Sequence, residues 1–445
     1  NGYHEGTRMA NVRSFVRAIA CWSKQPPQCS LPPCSLRTAP LRPMAFTLPN
    51  TSPKSPTPRL PSTHRSGVST TASDEPQFSA SYWPEWTGTL SEGVLRVLLL
   101  LMALLMGLQM AAPAAQAQDV YHVTEDGDAG NSGSSFGSDP ISLQGALGQA
   151  GGNDVIVIAA GRYLPTDDDN DRDARFEITG DQDGLKIYGG WEGTESGGAF
   201  SDLDEVEIAL NDRDLGENLT VLSGDIDGDD ITTGGITEDA SDIRGGNSYT
   251  VVYLNGTTGG SVTTDTILDG VVITGGQANG SINGGASRPY GGGAHCVSNS
   301  PGTKCNPIIS NIHFIGNTAN YGGAIYNDGF GGESSPQITN ATFSGNSADV
   351  GGGAIYNSGT LGGDSSPQIT NATFTGNSAD DRGGAIYNSG EDGGESSPQI
   401  MNATFTGNSA SGGGAIYNNG NSDNGNSGGE SSPQITNATF SGNSA

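Results

Sequence analysis

From Tyr321 onward the apolar residues come in runs of two to four, separated by Gly, Asn, Ser and Thr, and the same pattern returns four times. GGAIYN begins at Gly322, Gly352, Gly383 and Gly413, and SSPQI at Ser334, Ser365, Ser396 and Ser431. An F-x-G-N tetrad begins at Phe343, Phe374, Phe405 and Phe440, with FIGN at Phe314 before them. The Phe-to-Phe steps are 29, 31, 31 and 35 residues. A period of this size predicts a solenoid, in which each repeat buries its apolar face only against the next. Gly, Asn and Ser are poor helix formers, so the repeat is built of short strands. Ile369 and Phe374 lie on opposite parities, and one strand cannot turn both inward, which places a bend near Asn371. A second bend is expected at Asn377, then a loop and a strand through Ala385 and Ile386. Three short strands per turn make an all-β fold, a parallel β-helix.

Coils about 4.8 Å apart align equal repeat positions into ladders. The predicted ladder residues are Phe314, Phe343, Phe374, Phe405 and Phe440, the isoleucines Ile325, Ile355, Ile386 and Ile416, and the amides Asn346, Asn377 and Asn408. Stacked Asn side chains hydrogen-bond along the axis. Tyr326, Tyr356, Tyr387 and Tyr417 each follow an inward Ile and are expected to face outward.

GGAI paired with FxxN resembles the repeat of the polymorphic outer membrane proteins, secreted bacterial right-handed β-helices, and the repeats of a broader group of secreted β-helix proteins. The resemblance covers about residues 119–445 and is strongest over 290–445. It implies right-handed winding and a secreted, cell-envelope or outer-membrane-surface location. The role it implies is that of an adhesin-like or structural passenger whose partners are carbohydrate or a host or neighbouring cell surface. It implies no reaction.

The earlier chain divides into unlike pieces. Residues 1–93 are rich in Pro, Ser and Arg without periodicity and predict disorder. The chain opens on Asn1 rather than Met, which suggests a fragment or an over-extended reading frame for this leader. Residues 94–117 hold an apolar run from Val97 to Leu108 followed by Ala115-Gln116-Ala117. A run this short predicts a signal peptide cut before Gln118 rather than a membrane anchor. Residues 118–320 read as an N-terminal cap and irregular coils. ISLQGALGQA (141–150) is an amphipathic segment suited to capping the open end, and DVIVIAAGRY (154–163) reads as a buried strand. About ten coils are expected in all. The sequence ends mid-repeat at Ala445, so any membrane attachment is expected through an anchor beyond it.

Charge narrows the function. Of the 19 Lys and Arg, ten lie in residues 1–117, leaving nine beyond; of the 48 Asp and Glu, five lie there, leaving 43. So acidic a segment excludes nucleic acid and anionic membrane as natural partners. Two acidic loops have the D-x-D-x-D spacing that offers oxygen ligands to a hard cation such as Ca²⁺: one holds Asp167, Asp169 and Asp171, the other Asp225, Asp227 and Asp229. A solvated acidic loop is the competing reading of each. Cys296 and Cys305 bracket a turn-rich stretch and predict a disulfide in an exported chain.

The sequons at Asn218, Asn255, Asn279, Asn340, Asn371, Asn402 and Asn437 matter only in a secreted eukaryotic setting, and those in the repeats fall on repeat Asn positions. Pectate-lyase-like enzymes use the same scaffold, and resemble one another in needing Asp-bound Ca²⁺ beside an Arg or Lys base. Residues 321–445 contain one cation, Arg382, and no His, Cys or Lys. Any chemistry is therefore expected within 119–320, where Arg172 or Arg213 meets an acidic loop.

Overall fold

The computed structural model of the protein describes residues 118–195, 198–281, 289–420 and 428–445. The predicted leader (1–93) and signal peptide (94–117) lie outside the described residues. From Gln118 onward the chain folds as a parallel β-helix. The first face stacks nine parallel strands in the order Val120–Val123, Val155–Ala159, Lys186–Trp191, Ile267–Asp269, Ile308–Ile315, Gln337–Ser344, Gln368–Thr370, Gln399–Met401 and Gln434–Thr436. Beyond the Asn bend the same face continues through Thr373–Thr375, Thr404–Thr406 and Thr439–Ser441. A second face has four short strands, from Gln277–Ala278 to Ser378–Ala379, and a third has seven, from Phe176–Thr179 to Ile416–Asn419. Nine rungs stand against the ten or so expected.

The bends explain the motifs. Asn311, Asn340, Asn371, Asn402 and Asn437 all have φ between 50° and 55°, the left-handed region Asn tolerates best after Gly. The second bend differs from expectation: Gly376 takes the positive φ (64°), and Asn377 lies buried beside it. Glycine adopts that conformation without a Cβ clash, so the Asn is free to turn inward. In GGAI the two glycines have separate tasks. Gly352 has φ 67°, and a Cβ on Gly353 would sit 2.2 Å from the Gly384 carbonyl oxygen of the next coil.

The interior is a set of ladders. Phe314, Phe343, Phe374 and Phe405 are fully buried with rings stacked 4.7–5.2 Å apart and within 3° of parallel. Phe440 continues the stack at 4.8 Å but is 49% exposed on the last rung. Ile325, Ile355 and Ile386 are buried in register, with Ile416 packed partly buried behind them. Asn317, Asn346, Asn377, Asn408 and Asn443 hydrogen-bond in series, each Nδ2 donating to the next Oδ1 at 2.8–3.1 Å. A second series joins Asn327, Asn357, Asn388 and Asn418. It stops at Cys296, which holds the same register position one coil earlier. Cys296 forms the predicted disulfide with Cys305. It has no amide to offer, so Asn327 Oδ1 is buried without a partner.

The tyrosines turn outward by parity but are not exposed. Tyr326 and Tyr387 are buried, and the four rings stack on one another 4.5–5.2 Å apart along the third face. Tyr321 and Arg382 close over this row from the neighbouring turn.

The amphipathic segment forms helix α1, Leu143–Gln149, capped by Ser142 Oγ accepting from Gly145 N–H. Its Leu143, Ala146 and Leu147 join the interior at the first coil, as an end cap must. A second helix, α2 (Leu203–Ala209), has no counterpart in the sequence reading. Its Val206 packs with Phe136, Val155, Val157, Tyr188, Trp191 and Phe200 outside the first face. The Val155–Ala159 strand is thus buried on both sides, which is why its sequence is a continuous apolar run.

Candidate functional site

The two acidic loops fold differently. Asp167, Asp169 and Asp171 are exposed and not gathered; the loop is instead organised by Asp168, whose carboxylate accepts from Asn170 N–H. Among the described residues, the one set of acidic or other ligand-type side chains close enough to share an ion is Asp225, Asp227 and Asp229, with oxygens within 4.8 Å of one another. Strand Thr220–Ser223 pairs with Gly161–Tyr163 and so brings Arg162 to the loop after Ser223. Arg162 donates to Asp225 Oδ2 at 2.7 Å and to the Asp225 carbonyl. Asp225 Oδ1 accepts from the amides of Asp229 and Asp230, so this buried carboxylate is the loop's anchor.

The chain from Gly245 to Asn247 wraps the other side. Gly246 N–H donates to Asp227 Oδ2, and Asn247 Nδ2 to Asp230 Oδ2. A side chain at Gly245 would strike the carboxylates of Asp227 and Asp229. Nothing in the Gly245-Gly246-Asn247 sequence marks it as a wall of this site. Partial desolvation, then the neighbouring Asp227, raises the Asp229 pKa above its usual value. Desolvation also raises Asp230. An all-oxygen donor set whose carboxylates repel one another suits a hard cation. Asp227 and Asp229 are the exposed members and would hold it, with water completing the shell; Asp225 is already paired.

The cations named as candidate bases are held in structural contacts. Arg213 forms a buried ion pair with Asp269 at 2.6 Å and donates to the carbonyls of Gly189 and Leu210. It anchors the α2 excursion to the first face and does not meet an acidic loop. Arg172 donates to Asn247 O, Gln277 and Asn279, with Tyr249 beneath its guanidinium. Arg175 lies 3.7 Å over Tyr253, and Lys304 pairs with Glu333 at 2.6 Å. Arg288 lies outside the described residues. Three cations border the Asp225 loop: Arg162 is tied to Asp225, Arg172 to the Asn247 carbonyl, and Arg244 turns its guanidinium to the Ser241 and Ile243 carbonyls.

Residues 311–328, 340–358, 371–389 and 402–419 match the Chlamydia polymorphic membrane protein repeat. The four matches fall on four successive coils, each running from the Asn bend to the third-face strand. No curated protein matches the chain. Among solved structures, pectate lyase Pel9A is similar at 11% identity, covering 74% of this chain and 78% of that chain, with a TM-score of 0.26. A likeness at that level carries no argument about activity. No helix among the described residues is long and apolar enough to cross a membrane, which says nothing of β-barrels.

Proposed function

We infer that this is a non-enzymatic surface protein, an exported β-helix that serves as an adhesin-like or structural passenger and meets carbohydrate or a host or neighbouring cell surface. The observation that carries the reading is the coincidence of four polymorphic membrane protein repeats with four coils whose interior is spent entirely on ladders. Such coils are rigid and offer only their outward side chains for contact. Those side chains include no Lys, His or Cys between Tyr321 and Ala445, and Arg382 is the one cation there. Among the cations of the earlier coils, Arg162, Arg172, Arg213 and Lys304 are held in structural contacts. Intact cells producing the full protein should bind an antibody raised against residues 360–400, and the mature chain should begin at Gln118. Labelling only after lysis, with residues 94–117 retained, would contradict the reading.

A second reading, a polysaccharide lyase or hydrolase, has one observation in its favour: three carboxylates gathered beside Arg162. It requires Arg162 to leave Asp225, with Ca²⁺ on Asp227 and Asp229 taking over the anchoring charge.

A further inference from the structure

The outward side of the first face in the repeats is a regular array. On either side of each inward Phe, one residue points out. Strand register aligns Thr342, Thr373, Thr404 and Thr439 in one row, and Ser344, Thr375, Thr406 and Ser441 in a second. Rungs repeat about every 4.8 Å along the axis, and the two rows lie about 6.6 Å apart.

Three properties set this surface apart. First, it is flat. The Phe rings beneath it from Phe343 to Phe440 are 4.7–4.8 Å apart and within 4° of parallel, so successive rungs superpose. Ordinary sheets accumulate about 20° of twist per strand. Second, it is stiff. Thr has little χ1 freedom, and the adjacent Asn row is locked by Asn371, Asn402 and Asn437, each donating to the Asn one rung earlier at 2.7–3.1 Å. Third, it is uncharged. Residues 337–346, 368–377, 399–408 and 434–443 contain no Asp, Glu, Lys or Arg, in a chain of net charge −29. Thr373, Thr375, Thr406, Thr439 and Ser441 are exposed.

We propose that this hydroxyl lattice binds the surface of ice. A charged partner finds nothing to pair with on the rungs from Thr373 to Ser441, although Asp239 borders the Gly345 end of the face. A sugar or flexible polymer must displace water from each hydroxyl, and a hydrogen bond exchanged with water returns little. Crystalline water needs no such exchange, because the hydration layer of the array becomes the outer layer of the crystal. The rung spacing is close to the shorter oxygen repeat on the prism face of ordinary ice. Each Thr adds a methyl group beside its hydroxyl that packs against that lattice. A pre-ordered array loses no rotamer freedom on contact, so several weak contacts can add. This goes beyond the surface role proposed above and does not depend on it.

The test is partition of the purified full chain between slowly grown ice and liquid, together with the gap between the melting and growth temperatures of a single crystal. The wild-type chain should be enriched in ice and open a measurable gap. Thr375→Tyr and Thr406→Tyr, bulky changes on the exposed rows, should abolish both while leaving the circular-dichroism melt unchanged. Asp380→Asn, exposed on another face, should leave both intact. Exclusion of the wild-type chain from ice, or full activity in both Tyr variants, would overturn the proposal. So would adsorption to insoluble neutral glycan with exclusion from ice, which would give the face to a carbohydrate partner.

Discussion

The side-chain amide of Asn377 donates to Asn408 Oδ1 at 2.9 Å and to the Phe343 carbonyl at 3.0 Å, so one buried residue joins three coils. Asn346 in turn donates to Asn377 Oδ1. Replacing Asn377 with Leu takes the side-chain partner from the Phe343 carbonyl and from the Asn346 backbone N–H, while Asn408 Oδ1 keeps the Asn377 N–H and Asn346 Nδ2 keeps the Phe314 carbonyl. Each buried orphan costs about 1–3 kcal/mol. Asn377→Leu should therefore destabilise the protein by about 2 kcal/mol or more in urea unfolding. A loss below about 1 kcal/mol would show that the ladder relaxes freely.

Burial in the Phe ladder sets a ring's value. Phe374 is sealed between Phe343 and Phe405, each 4.7 Å away. Phe374→Ala should cost about 3–5 kcal/mol, as truncation of a core Phe does. Phe330→Ala removes a ring outside the ladder that is 46% exposed and should cost well under half as much. Equal losses at the two sites would contradict the stacking account.

A pH response is built into the first coil. His122 is fully buried; its Nδ1 lies 2.8 Å from the Gly133 carbonyl and its Nε2 accepts from Phe200 N–H at 2.7 Å. Protonation at Nε2 would break the second bond, and burial holds the pKa below its ordinary value. The unfolded chain takes up the proton near pH ~6.5. The stabilising contribution is therefore complete above that pH and is lost as pH falls below it. Melting temperature should drop between about pH 7 and 5, and His122→Phe should flatten that slope. An identical slope in the variant would exclude His122 as its source.

The Asp225 loop should respond to metal. Ca²⁺ should raise the melting temperature and EDTA should lower it, since a ligand of the folded state stabilises by mass action. Asp229→Asn relieves the crowding that raises the Asp229 pKa. It should stabilise the metal-free protein and remove the Ca²⁺ response. An unchanged melt with and without EDTA would leave the loop solvated.

The repeat coils were legible because every inward position is stated several times: an Ile or Phe at one offset predicts its neighbours in the ladder. Parity placed Tyr326 and Tyr387 outside correctly, but not the cover they give one another, which depends on rungs a repeat away. In Gly376-Asn377 either residue could take the left-handed bend, and only packing shows that Gly does. Helix α2 and its apolar cluster went unread because Phe136, Trp191, Phe200 and Val206 are scattered over 71 positions and meet only after the coils form. The two acidic loops are alike in composition. Arg162 and Gly246, distant in sequence, contract one of them. The first loop is tied to distant residues through Arg172 and not through its carboxylates, so Asp167, Asp169 and Asp171 stay open to solvent.

The claim that this chain acts by contact rather than by turnover is tested most directly on polysaccharide. Purified mature protein would be incubated with pectate, alginate and neutral glycans, with and without Ca²⁺, and the products separated by size and by absorbance of unsaturated ends. The account predicts that chain length is unchanged in every case. Release of shortened or unsaturated oligosaccharides that depends on Ca²⁺ and is lost in Asp227→Asn would contradict it and make the Asp225 loop a catalytic centre.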